Sequence, residues 1–64
     1  MKREYVAEFL NQKVTVGVPS NKSRPYYFTG ELISVDKEFL TITYQNGYKS
    51  IKLDEVIEIQ LGGR

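Results

Sequence analysis

The side chains that could do chemistry in this chain are mainly basic and aromatic, and many lie in two short stretches. In the first stretch, PSNKSRPYYF over residues 19–28, Lys22 and Arg24 come just before Tyr26. Basic groups beside aromatic rings suit nucleic-acid contact, because the cations hold phosphates while a ring stacks on a base. The alternative is an ordinary loop whose tyrosines begin the next strand, with alternate rings facing inward.

The second stretch, SVDKEFLTI over residues 34–42, places Asp36 and Phe39 at a turn. If Leu40 is buried, strand alternation directs Phe39 away from the core. An outward ring at a turn is either covered by a neighbour or used as a stacking platform. If Phe39 is buried instead, no such platform exists, so the side chain that enters the core decides the function of this stretch.

A later stretch, YKSIKL over residues 48–53, carries a third candidate, Lys52. Alternation makes Ile51 and Leu53 core residues and leaves Lys52 on the opposite face, near the end of a strand. A lysine there meets a phosphate or a base edge, or it is an ordinary solvated side chain. The stretch alone favours the solvated side chain.

Several kinds of chemistry are excluded by composition. The chain has no cysteine and no histidine, so it lacks a disulfide framework, an ordinary zinc site and the usual nucleophile and general base. Its acidic residues lie mostly at turn or strand-surface positions beside lysines, which is typical of a solvated face. We therefore expect no enzyme activity, no metal and no cofactor.

Length and charge set further limits. Sixty-four residues allow one domain with a small core, which favours stabilisation by association with other copies. The net charge of +1 gives little global attraction for a phosphate backbone. No apolar run approaches the roughly 20 residues that span a membrane. Glu4 and Glu8 lie inside the N-terminal stretch that would be purely apolar in a signal peptide. We expect a cytoplasmic protein without a membrane partner.

The elements that must position these side chains form one mainly β domain over residues 1–64. Apolar residues at helical spacing predict an α-helix over about 2–11, which is too short to be stable without docking. Alternating patterns then predict five strands, at about 13–19, 26–35, 39–46, 48–53 and 56–61. A strongly bent antiparallel sheet or small barrel follows from one helix and five strands.

Three glycine-containing positions carry additional expectations. Gly30, inside the second strand, predicts a sharp bend or a close approach of another backbone. Asn46-Gly47 predicts a type I′ hairpin turn. Gly62-Gly63-Arg64 is expected to form a loose tail.

The predicted helix and five strands, together with two sequence segments, resemble the Sm-like superfamily, which includes archaeal Sm-like proteins and bacterial Hfq. The first segment has the pattern Gly30-Glu31-Leu32-x-x-Val35-Asp36, and the second is IKLDEVIEI over residues 51–59. The pattern is most similar to archaeal Sm-like proteins. In the second motif, Lys52 stands where the family has arginine, Leu53 replaces a glycine and Asp54 is retained. The resemblance covers nearly the whole chain.

This resemblance implies a fold, an assembly and a ligand. Sm-like proteins form hexameric or heptameric rings in which the fourth strand of one subunit pairs with the fifth strand of the next. Near the central pore they bind single-stranded RNA, often uridine-rich. An aromatic or histidine ring stacks on the base, an asparagine contacts its edge, and the basic residue of the second motif closes the pocket.

Two alignments of the first motif are open. Without a gap, the stacking position falls on Glu38 and the asparagine position on Leu40, which would abolish the pocket. One inserted residue puts Phe39 at the stacking position and Thr41 at the asparagine position. The inserted alignment also buries the better apolar set, which consists of Leu40, Ile42 and Tyr44.

We prefer the inserted alignment, in which the RNA-binding residues are Phe39, Thr41 and Lys52, while Asp36 orders the turn. Lys22, Arg24 and Tyr26 form a secondary basic and aromatic loop. The expected function is single-stranded RNA binding by a homo-oligomeric Sm-like ring. One alternative is an Sm-fold structural or protein-interaction ring without the RNA pocket, and another is a monomeric SH3-like barrel that binds duplex DNA.

Overall fold

The computed structural model describes residues 1–62 and shows a mainly β chain with a short N-terminal helix, as the sequence predicts. Helix α1 is followed by five strands that form one antiparallel sheet, and a 3-10 turn at Leu53–Glu55 precedes the last strand. The bounds are α1 Arg3–Ala7, β1 Lys13–Val18, β2 Tyr26–Val35, β3 Phe39–Tyr44, β4 Gly47–Lys52 and β5 Glu58–Leu61.

The regular helix covers only the first half of the range that the periodicity predicts. After Ala7 the backbone hydrogen bonds link residues three apart, as in Phe9 N–H to Val6 C=O at 3.0 Å, so the chain continues in tighter turns. These turns end at Asn11, whose φ of 67° is left-handed and stops helical progression. The helix docks through Val6, which is fully buried, while Phe9 packs against the core.

The strands lie in the order β4-β3-β2-β1-β5. The first part of β2 pairs with β1, and its last part, from Leu32 to Val35, pairs with β3. A β-bulge interrupts the second pairing between Leu32 and Ser34, which increases the local twist. Within residues 1–62, β4 and β5 are the two edges of the sheet and do not pair with each other, so the chain alone does not close a barrel.

The core is built on one face of this sheet. It consists of aliphatic side chains from α1, all five strands and the 3-10 turn region: Val6, Val14, Val16, Leu32, Leu40, Ile42, Ile51, Leu53, Val56 and Ile59. Thr15, which lies between the core residues Val14 and Val16 on β1, is also buried. Its hydroxyl lies 3.0 Å from that of Thr29 and donates to the Gly62 carbonyl at 2.8 Å. These bonds offset the desolvation of the Thr15 hydroxyl.

The predicted position of the β3–β4 turn is corrected by the structure. Tyr44 pairs with Gly47, so Gln45 and Asn46 are the central residues of the β3–β4 turn, one position earlier than predicted. Gln45 has the positive φ, at 53°, whereas Gly47 begins β4. A type I′ turn centred on Asn46-Gly47 is therefore wrong, because strand pairing sets the turn position. In the observed turn, Gln45 is the central residue with a positive φ.

The expected loose tail also differs from the structure. The Gly62 N–H donates to the Lys13 carbonyl at 2.8 Å, in addition to the bond between the Gly62 carbonyl and Thr15. Gly62 therefore continues the pairing of β5 with β1. The other two residues of the predicted tail, Gly63 and Arg64, lie outside the described residues.

The close backbone approach predicted at Gly30 is confirmed. A Cβ atom at this position would lie 1.8 Å from the Thr43 carbonyl oxygen and 2.9 Å from its carbonyl carbon. Both atoms belong to the β3 backbone, so no side-chain rotation could relieve the overlap. Gly30 thus allows β2 to bend tightly against β3.

We expect Gly30→Ala to lower the free energy of unfolding by about 3 kcal/mol, because β3 must move to admit the methyl group. Urea denaturation followed by circular dichroism measures the change. Gly47→Ala is the matched control, since nothing lies within 4 Å of a Cβ there. Its effect should stay below about 0.5 kcal/mol. Equal effects of the two substitutions would contradict the packing role of Gly30.

Candidate nucleic-acid interface

Phe39 and Lys52, which are thirteen positions apart in the sequence, face each other across β3 and β4. Their Cα atoms are direct partners in the antiparallel register, and the next pair on the same face is Thr41 with Ser50. Phe39 is half-buried and Lys52 is exposed. The structure therefore brings together three residues that the sequence analysis names for base stacking, edge contact and charge.

The burial of the β3 side chains shows which face of the strand packs against the core. Leu40 and Ile42 are both fully buried, whereas Phe39 and Thr41 are only half-buried on the other face. The predicted apolar set is incomplete, because Tyr44 is half-buried at the end of the strand. The side-chain distribution nevertheless agrees with the choice that leaves Phe39 off the core.

Asp36 orders the turn that presents Phe39. One carboxylate oxygen, Oδ1, accepts the backbone N–H of Phe39 at 2.8 Å and that of Glu38 at 2.9 Å. The Asp36 N–H in turn donates to the Phe39 carbonyl at 2.9 Å. Hydrogen bonds from Phe39 and Glu38, in that order of strength, lower the pKa of Asp36 below its ordinary value.

This turn is joined to the 3-10 turn after β4. The Leu53 N–H donates to the Glu38 carbonyl at 2.8 Å, which holds the two loops together beside Lys52. Between them lies a surface depression of about 140 Å³, lined by Lys37, Glu38, Lys52 and Asp54. Sequence analysis missed the contribution of Lys37 and Asp54, because only the pairing of β3 with β4 brings their loops together.

The secondary basic and aromatic residues form a separate region. Lys22, Arg24 and Tyr26 line a shallow depression of about 510 Å³ in the loop between β1 and β2. The Ser20 hydroxyl stabilises this loop by accepting the Lys22 N–H at 3.2 Å and donating to the Arg24 carbonyl. Because Tyr26 begins β2 and Val35 ends it, the loop and the Asp36 turn lie at opposite ends of that strand.

Tyr26 also belongs to an aromatic cluster that the sequence analysis did not identify. Its ring packs edge-on against Phe28 at 4.9 Å, and Phe28 packs similarly against Tyr44 at 5.1 Å. The Lys49 ammonium lies 4.7 Å from the Phe28 ring centroid, a cation–π contact. A hydrogen bond with the Tyr26 side chain raises the pKa of Tyr44. These four residues come from β2, β3 and β4, so only the pairing of the three strands makes them neighbours.

Residues 1–62 offer neither a cluster of metal ligands nor a membrane-spanning helix. No group of three or more acidic side chains in this range could hold a metal ion. None of its helices is long and apolar enough to cross a membrane.

The chain matches no family model, no curated protein and no solved structure. The resemblance to the Sm-like superfamily therefore rests on the motif residues of the sequence and stays a prediction.

The lowered pKa of Asp36 generates a prediction about stability and pH. Ionised Asp36 stabilises the fold above its ordinary pKa of 3.8, and this contribution is lost as the pH falls through the lowered value. We expect Asp36→Asn to be less stable than the wild type at neutral pH. The difference should shrink as the pH drops below 3.8.

Urea denaturation of both proteins at a series of pH values measures this convergence. Asp54→Asn is the matched control, since it removes another exposed carboxylate from the neighbouring turn. A constant gap between wild type and Asp36→Asn across the series would contradict the role assigned to the ionised carboxylate.

Proposed function

We propose that this protein binds single-stranded RNA and assembles as a homo-oligomeric ring of the Sm-like type. The observation that carries the proposal is the cross-strand pairing of Phe39 with Lys52 on the face of β3 and β4 that lies away from the core. A ring and a cation at adjacent positions match the two requirements of single-strand binding, which are a stacking surface and a charge for the backbone. A cytoplasmic location fits such a protein.

Each residue of the surface has a separate part in binding. Phe39 stacks on an unpaired base, which contributes about 1–3 kcal/mol per base in proteins of this kind. Lys52 attracts the adjacent phosphate, and the Thr41 hydroxyl forms a hydrogen bond with the base edge. The ligand expected from the family resemblance is a single-stranded, uridine-rich RNA.

Asp36 supports this surface without contacting RNA. A carboxylate and a phosphate repel each other, so Asp36 is not suited to contact the RNA backbone. Its Oδ1 instead accepts the backbone N–H groups of Phe39 and Glu38. These bonds hold the turn in one conformation and so limit the conformational entropy that Phe39 loses when it stacks on a base.

Ring assembly is supported by the two unpaired edges, β4 and β5, and by exposed apolar side chains near one of them. Ile57, which directly precedes β5, is 52% exposed, and Leu61, the last residue of β5, is 59% exposed. Pairing β4 of one copy with β5 of the next would cover these edges, which otherwise invite irregular aggregation. It would also repeat the Phe39 surface around the assembly and thereby add avidity to a domain of net charge +1.

The loop with Lys22 and Arg24 provides a second RNA contact in this proposal. Its two cations would hold phosphates, and Tyr26, which is 53% exposed, offers an accessible ring. Because this loop lies at the other end of β2 from the Asp36 turn, it would contact a different part of the RNA.

A structural ring that has no RNA pocket is the second candidate. The balance of charge beside Phe39 favours it, since Glu38 and Asp54 accompany Lys37 and Lys52 around the depression. Two carboxylates offset the attraction of two lysines for phosphate. Duplex-DNA binding by a monomer is less favoured, because a net charge of +1 provides little counterion release.

We expect Phe39→Ala to weaken oligo(U) binding by about fivefold or more, because the base loses its stacking surface. Fluorescence anisotropy with labelled oligo(U), at two salt concentrations, measures the dissociation constant. Oligo(A) and duplex DNA of equal length test the selectivity.

Tyr5→Ala is the control, since it removes another partly exposed ring, on α1, while leaving β3 intact. Its oligo(U) affinity should equal that of the wild type. An unchanged affinity of Phe39→Ala would show that the ring is not the stacking platform. Absence of oligo(U) binding by the wild type would instead favour the structural ring.

The assembly itself is tested by native mass spectrometry at micromolar protein concentration. We expect a single closed species, a hexamer or a heptamer, because pairing of β4 with β5 leaves no free edge in a ring. Dilution should give monomers without a ladder of intermediate sizes. A monomer at micromolar concentration would contradict the ring.

A further inference from the structure

The hydroxyl groups of Thr41 and Ser50 form a hydrogen-bonded pair next to Phe39 and Lys52. Their oxygens are 3.0 Å apart, and either hydroxyl can be the donor. Ser50 is exposed and Thr41 is half-buried, so the pair borders solvent. The next hydroxyl along β3 is already engaged, because Thr43 Oγ1 accepts the Glu31 N–H at 2.9 Å.

Such a pair has two hydrogen-bonding arrangements. Two hydroxyls carry two protons, of which one lies between the oxygens and the other remains available to a ligand. When Thr41 donates to Ser50, Ser50 offers the outward proton and Thr41 offers lone pairs. When the direction reverses, the outward donor and acceptor exchange positions. Neither arrangement requires a movement of the backbone or a change of charge.

The two pyrimidines differ in the same way. Uracil has an acceptor, O4, beside a donor, N3–H. Cytosine has a donor, the N4 amino group, beside an acceptor, N3, at the corresponding positions of its Watson–Crick edge. A surface of fixed polarity matches one of these edges and opposes the other. A pair that reverses its direction matches both.

We infer that the Thr41–Ser50 pair makes this surface tolerant of both pyrimidines, so that either uridine or cytidine binds beside Phe39. The inference rests on the proposed function, because it assigns the base selectivity of the same surface. It replaces a strict uridine preference with pyrimidine binding, and it gives Ser50 a role that strand position alone does not assign.

The experiment measures dissociation constants for oligo(U) and oligo(C) of equal length by fluorescence anisotropy. The wild type should bind the two within about threefold. Ser50→Asp places a carboxylate at one of the two positions. An ionised carboxylate accepts hydrogen bonds but cannot donate them, so the pair can no longer reverse its direction. We expect the ratio of the two constants to change by about tenfold or more, since hydrogen bonds to charged groups are among the stronger ones.

Two further variants make the test specific. Tyr48→Asp adds the same charge on the same strand, at the 72%-exposed position that pairs with Thr43. It should weaken both oligonucleotides equally and leave the ratio unchanged. Thr41→Asp fixes the other position as an acceptor, so it should shift the ratio in the direction opposite to Ser50→Asp.

The outcomes separate this inference from the proposed function. A wild type that binds both oligonucleotides but prefers one by about tenfold or more overturns the tolerance and leaves RNA binding intact. The same follows if Ser50→Asp changes the ratio no more than Tyr48→Asp does. If Thr41→Asp fails to fold, the Ser50→Asp ratio still decides. A wild type that binds neither oligonucleotide overturns the proposed function, and this inference with it.

Discussion

The bend of β2 is the constraint on which the rest of the structure depends. One strand of ten residues serves both β1 and β3, so it must turn sharply enough to wrap the sheet around a small core. Gly30 permits this by letting the β3 backbone at Thr43 approach where any Cβ would overlap it. The bulge before Ser34 then adds one residue to β2 opposite β3 and adjusts which side chains face inward. Without the bend, the apolar faces of the sheet would remain open to water.

The candidate interface is a consequence of how β3 follows that bend. With Leu40 and Ile42 buried, period-two alternation directs Phe39 and Thr41 to the other face. The turn held by Asp36 sets where β3 begins, and the antiparallel register with β4 places Lys52 opposite Phe39. The same packing that stabilises the core therefore assembles the surface proposed to bind RNA.

A chain of this size gains little from its own core, and that limitation connects stability with the proposed assembly. Across the described residues 1–62, the sheet ends at two unpaired edges, and apolar side chains such as Leu61 remain exposed at β5. Pairing between copies would cover the edges and multiply a weak surface. Local charge is nearly balanced beside Phe39, so affinity would come from stacking and repetition more than from net charge.

Local patterns in the sequence determined the short helix, the existence of five strands and the close approach at Gly30, because periodicity and glycine act over neighbouring residues. They also named Phe39 and Lys52, and the family resemblance added Thr41, but the face of β3 that enters the core was left with two choices. Only the tertiary structure decided that Leu40 enters the core, that the β3–β4 turn lies at Gln45, and that Thr41 meets Ser50. These features depend on pairing between segments distant in the chain, and a one-residue shift in pairing exchanges the two faces of a strand.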